Sequence, residues 1–106
     1  MPKYLLQASY TVEGLKGLAK DTASGRKAAV TKAVEGVGGK LDAFYFAFGA
    51  DDVIAICDFP DNVAAAAVAL TIGSSGAADG RTTPLLTVEE VDKALKKTVS
   101  YKAPGH

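Results

Sequence analysis

The sequence holds one cysteine, Cys57, and one histidine, His106. A lone cysteine excludes a disulfide within the chain and a thiolate metal cluster built by one copy. It fits a reducing, cytoplasmic setting. The lone histidine is the last residue, after Pro104 and Gly105, where chains fray. The usual general base is therefore missing from any catalytic scheme, and a Ser-His-Asp or Cys-His arrangement would have to use a loose tail. Charge of one sign is also missing, since twelve basic and twelve acidic residues cancel. That argues against a nucleic-acid or membrane-surface partner, which needs a basic excess or stripe. Lys93, Lys96 and Lys97 read as the wet face of a last helix. The longest apolar run, around Val63 to Leu70, is far below the roughly 20 residues of a bilayer span. The start "MPKYLLQAS" lacks the pattern of a signal peptide. No metal and no cofactor are expected.

What is present suffices for one domain. The chain has 106 residues, 48% of them hydrophobic, enough for a single core and too few for two. One domain over residues 1–106 is expected, with residues 101–106 as a frayed tail. "KYLLQASY", residues 3 to 10, alternates Tyr4, Leu6, Ala8 and Tyr10 against Leu5, Gln7 and Ser9, a strand period. Thr11 is a good helix N-cap, with Glu13 in the first turn. "VEGLKGLAKD" reads as a weak helix, because Gly14 and Gly17 each cost about 1 kcal/mol against alanine. "DTASG" interrupts it. From Arg26, Ala29, Val30, Ala33, Val34 and Val37 form one apolar stripe, which ends at Gly38-Gly39.

"FYFAFGADDVIAICDF", residues 44 to 59, reads as a hairpin turning at Gly49 to Asp52. Pro60 stops its second strand, and Asp61 caps a helix containing Ala64 to Ala67. "GSSGAADG" reads as a loop. It runs from helix to strand, the wrong order for a phosphate-cradling loop. "RTTPLLTV" reads as a fourth strand, with Pro84 at an edge or bulge. Thr87 and Glu90 make a capping box for a last helix with Val88, Val91, Leu95 and Val99 inward. The order is β-α-β-β-α-β plus a C-terminal helix. The fold class is α+β, ferredoxin-like, with a four-stranded antiparallel sheet and both main helices on one face.

The hairpin carries apolar residues on both faces. One side reads Leu41, Ala43, Tyr45 and Ala47, the other Phe44, Phe46 and Phe48. In the next strand Val53, Ala55 and Cys57 oppose Ile54, Ile56 and Asp58. A sheet with one wet face alternates more cleanly than this. A second copy packed on the open face, as a homodimer, is the simplest cover. A trimer built through sheet edges is an alternative, and the C-terminal helix folding back over its own sheet is another.

Several of these features resemble one family. Gly49-x-x-Asp52 before an apolar strand is similar to the motif of the GYD-domain family, small bacterial proteins of the dimeric α/β-barrel superfamily. Thr11 and Gly14, Arg26, Gly38-Gly39-Lys40, Pro60-Asp61, Ile72-Gly73-Ser74-x-Gly76 and Arg81-Thr82 match in order and spacing over most of residues 3 to 95. The family pattern has tyrosine where this chain has Asp51. The resemblance implies a dimeric α/β barrel or a related oligomer, and it does not imply a reaction.

Candidate ligand-binding residues are Tyr4, Tyr10, Arg26, Tyr45 and Asp52, around a pocket between sheet and helices. The tyrosines also read as packed side chains, each with one hydrogen bond. Arg26 at a helix start is poorly placed for the helix dipole, which points to a carboxylate or ligand partner, or more simply reads as an exposed helix-start residue. Asp51 and Asp52 read as a carboxylate pair or, more simply, as turn residues. Cys57 reads as a small buried hydrophobe. The functional expectation is a homo-oligomeric module that binds a small, partly apolar molecule. The alternatives are a cofactor-free enzyme, monooxygenase- or isomerase-like, by fold analogy only, and a purely structural oligomer.

Overall fold

The computed structural model describes residues 1–106. Its elements are β1 (Lys3–Tyr10), α1 (Val12–Gly36), β2 (Lys40–Phe46), β3 (Val53–Asp58), α2 (Asn62–Ser74), β4 (Ala78–Pro84) and α3 (Val88–Leu95). The sheet order is β2-β3-β1-β4 with every pairing antiparallel. Each long helix carries the chain past one strand position, and the strand left over fills the gap. This is the ferredoxin-like arrangement expected from the element order.

Local chemistry sets the helix ends. The Thr11 hydroxyl accepts from the Gly14 N–H and donates to the Gly76 carbonyl, so one side chain caps α1 and ties it to the loop after α2. At the other end, Gly38 takes φ +83°, and the N–H groups of Gly38 and Gly39 return to the carbonyls of Glu35 and Val34. That is the Schellman closure a glycine pair permits. Asp61 caps α2 through the Ala64 N–H. α1 is broken once, at Thr22, with φ 72° and ψ 164°. That region is nearly reserved for glycine and costs a branched residue about 1–3 kcal/mol. The break falls inside "DTASG", where the helix was expected to be interrupted.

The helices cover one sheet face, and the core lies under them. Tyr4, Val34, Ala55, Cys57, Phe59, Ala65 and Val68 form the buried cluster. The Tyr4 and Phe59 rings meet edge-on at 5.4 Å. Burial pushes the Cys57 thiol up to about 11, with Asp42 and Asp58 adding to the effect, so it packs as an inert hydrophobe.

Three details depart from the sequence reading. First, the β2–β3 register slips between Leu41 and Ala43. The bulge turns Leu41 to the helix side, opposite Cys57 and with Phe44 and Phe46, instead of leaving it with Ala43 and Tyr45. The extra residue, Asp42, joins Asp58 on the Lys3 ammonium group. Second, β4 spans Ala78–Pro84 rather than residues 81–88. Pairing to β1 draws Ala78, Asp79 and Gly80 into the ladder, although their own strand preference is poor. Third, Val88, Val91, Leu95 and Val99 do not face inward. All four are exposed. Thr87 and Glu90 do form the capping box, but the rest of the chain leaves the stripe uncovered. With α3 standing off the body, the longest dimension is 56 Å and the radius of gyration 16.9 Å, against about 13 Å for a compact chain of this length.

Candidate functional site

Between the helices and the sheet lies a cavity of about 210 Å³. Leu6, Ala8 and Tyr10 of β1 and Val53 and Ala55 of β3 form its floor. They come from the helix-facing set of each strand, so the period of two places them there. Phe44 closes one side. Arg26 and Val30 of α1, Thr71 and Ile72 of α2, and Ser75, Ala77 and Ala78 complete the wall. Ten of the thirteen lining residues are hydrophobic, so an occupant of this cavity has a largely apolar body.

The polar lining is sparse, and most of it is already engaged. The Thr71 hydroxyl donates to the Ala67 carbonyl at 2.7 Å, and the Ser75 hydroxyl to the Ile72 carbonyl at 2.6 Å. Arg26 is the single charged residue in the lining. It lies in the first turn after α1 breaks at Thr22 and restarts, where the Gly25 N–H donates to the Thr22 hydroxyl at 3.3 Å. Its guanidinium meets only Asp21, at 3.5 Å.

Of the candidate residues, Tyr10 and Arg26 come together in this lining. Tyr4 lies deeper in the core, 2% exposed, its hydroxyl donating to Asn62 Oδ1 at 2.6 Å. Tyr45 is on the opposite sheet face, across from Ile54 and 68% exposed. Asp52 stands at the hairpin turn, where its carboxylate accepts the Tyr10 N–H. The residues that sequence reading missed are Phe44, Val30, Thr71, Ile72 and Ser75. One usable signal was the four-residue spacing of Thr71 and Ser75, which shares a helix face with Ile72.

Asp51 and Asp52 point apart. Asp51 Oδ2 accepts from Arg81 at 2.8 Å and from Gln7 at 3.2 Å. Those partners belong to the open face, so Asp51 bears on that face and not on the cavity. The open face also carries Leu5, Ala43, Tyr45, Ile54 and Ile56 in the middle of the sheet. At its far end the hydrogen bond from Lys3 holds Asp42 below the usual carboxylate value of 3.8. Bonds to Asp42 and Asp58 hold Lys3 above the usual 10.5. No group of three or more histidine, cysteine, aspartate or glutamate residues is gathered as a metal site. No helix is long and apolar enough to cross a membrane.

A larger concavity, about 730 Å³, runs along the outer face of α1 past Lys27, Thr31, Lys32 and Glu35. Only one of its seven lining residues is hydrophobic. It is a solvated helix surface, and the smaller, more apolar cavity is the better candidate.

A four-stranded antiparallel sheet with two helices on one face and an apolar cavity beneath them defines a small ferredoxin-like α+β domain. The chain belongs to the GYD-domain family, whose family model matches residues 4–95. Neither the comparison with curated proteins nor that with solved structures found a match.

Proposed function

We propose that this protein is a homo-oligomeric module that binds a small, partly apolar molecule in the cavity between sheet and helices. The observation that carries the reading is the cavity itself. It is largely apolar, about 210 Å³ in volume, and holds a single charged side chain at Arg26. Self-association is supported by the open sheet face. Tyr45 is exposed there and Leu5, Ile54 and Ile56 are half-buried, so a partner covering them would gain part of the roughly 1.5–3 kcal/mol that fully burying such a side chain is worth. The chain's own helices are committed to the other face, and α3 does not fold back.

A thermal-shift screen of small, partly apolar molecules tests the binding role. A ligand at 100 times its Kd adds about 2.7 kcal/mol to stability, and the bulky variant Ala8→Phe should abolish that gain by filling the cavity. Sedimentation tests assembly. The wild-type chain should sediment as a dimer or larger species, and Ile56→Asp should release single chains. A chain that stays single at high concentration would remove the oligomeric half of the proposal. A screen in which no compound distinguishes the chain from Ala8→Phe would remove the binding half.

A further inference from the structure

We infer that the cavity selects a small monocarboxylate with an apolar body, its carboxylate held by Arg26, and that Asp21 occupies Arg26 when the ligand is absent. The inference rests on reading the cavity as a binding site.

Size comes first. A dry apolar cavity of roughly 150 Å³ admits benzene, so about 210 Å³ has room for one ring or a short branched chain and a small polar head. Charge comes next. With the Thr71 and Ser75 hydroxyls donating to their own helix carbonyls, Arg26 is the charged group left to fix a head. A guanidinium presents a planar fork that matches a carboxylate with two parallel hydrogen bonds. A phosphate dianion would call for a second cation, and the lining has none.

The third observation is Asp21. Its carboxylate lies 3.5 Å from Arg26 Nη1, and both side chains are part-exposed, 48% and 33%. The contact is long and wet, so it holds weakly. It is the interaction a ligand carboxylate would make, supplied by the chain. Thr22, in its glycine-type conformation, is the residue between the two helical segments that carry Asp21 and Arg26. Such outliers persist where the local geometry serves a site. An incoming carboxylate displaces Asp21 into solvent, with no bond made or broken beyond hydrogen bonds.

The test uses the full chain and two probes of nearly equal shape, benzoate and benzamide, titrated by NMR with the methyl groups of Leu6, Val30 and Ile72 as reporters. Benzoate should shift those methyls and bind about tenfold or more tightly than benzamide, the margin expected of a charge-assisted pair. Arg26→Met should erase the difference, and Asp21→Asn should tighten benzoate by roughly two- to fivefold. Arg26→Gln is the second variant should Arg26→Met fold poorly. Equal binding of the two probes, or benzoate binding indifferent to Arg26, would overturn the carboxylate assignment and leave the cavity as a binding site. No methyl shift with either probe, together with a negative thermal-shift screen, would overturn the binding reading as well.

Discussion

The backbone N–H of Tyr10 donates to Asp52 Oδ2 at 2.8 Å, and this bond ties the last residue of β1 to the turn between β2 and β3. The Asp52 backbone strengthens the tie, donating to the Ala8 carbonyl and accepting from the Ala47 N–H, both at 2.8 Å. Removing the carboxylate strands a part-buried donor. Asp52→Ala should therefore lower stability by about 1.5–3 kcal/mol in urea unfolding, the range for a hydrogen bond to a charged group. Asp52→Asn keeps an acceptor and should lose less. Equal losses for the two would show that the carboxylate's charge, and neither its shape nor a neutral acceptor, makes this tie.

Two glycines of α1 should respond in opposite directions to the same change. A Cβ at Gly14 would stand 1.9 Å from the Ala77 carbonyl oxygen and 2.9 Å from the Tyr10 ring. Gly14→Ala should destabilise by about 1–3 kcal/mol despite its better helix propensity, because overpacking outweighs propensity. A Cβ at Gly17 meets nothing within 4 Å, so Gly17→Ala should stabilise by up to about 1 kcal/mol. Thermal melts of the two single variants check both signs.

Thr22 offers a third comparison. Its φ of 72° with ψ 164° suits glycine, and its hydroxyl accepts the Gly25 N–H at 3.3 Å. Thr22→Gly relieves the strain and gives up only a few tenths of a kcal/mol of capping. It also gives the unfolded chain more freedom. The net expectation is a gain of about 1 kcal/mol, read from the denaturation midpoint. A loss would mean that the cap outweighs the strain.

The Lys3–Asp42 contact predicts an acid dependence with a definite sign. The hydrogen bond from Lys3 holds Asp42 below 3.8 in the folded chain. The deprotonated form is therefore favoured by folding. Its contribution is full above the unfolded value and fades as the pH falls through the lowered folded value. Lys3→Met should move the Asp42 carboxyl upward when followed by carbon NMR. It should also flatten the stability loss below about pH 4. An unmoved Asp42 titration would show that the pair does not persist in solution.

Much of the fold was legible in the sequence because its signals are local. The alternation in residues 3 to 10, the covered Val30, Val34 and Val37 of the α1 stripe (its Ala29 and Ala33 stay exposed), the Thr11 and Asp61 caps and the Gly38-Gly39 stop each act within a few residues of where they are read. The site was only partly legible. Arg26 and Tyr10 stood out one at a time, as a cation at a helix start and a phenol at a strand end. That they share a wall with Phe44, Thr71 and Ile72 depends on where the helices cross the sheet.

By itself the sequence determined the element order and the face of each regular strand, since short-range periodicity encodes those things. Tertiary structure alone decided the bulge at Asp42, the entry of Ala78 to Gly80 into the ladder, the opposite roles of Asp51 and Asp52, and the bare stripe of α3. Each depends on a partner far away in the chain: Lys3, β1, Arg81 and the Tyr10 amide in the first three, and in the last the lack of any facing surface. A local pattern shows what a residue can do, and only the packed arrangement supplies or withholds the group it does it with.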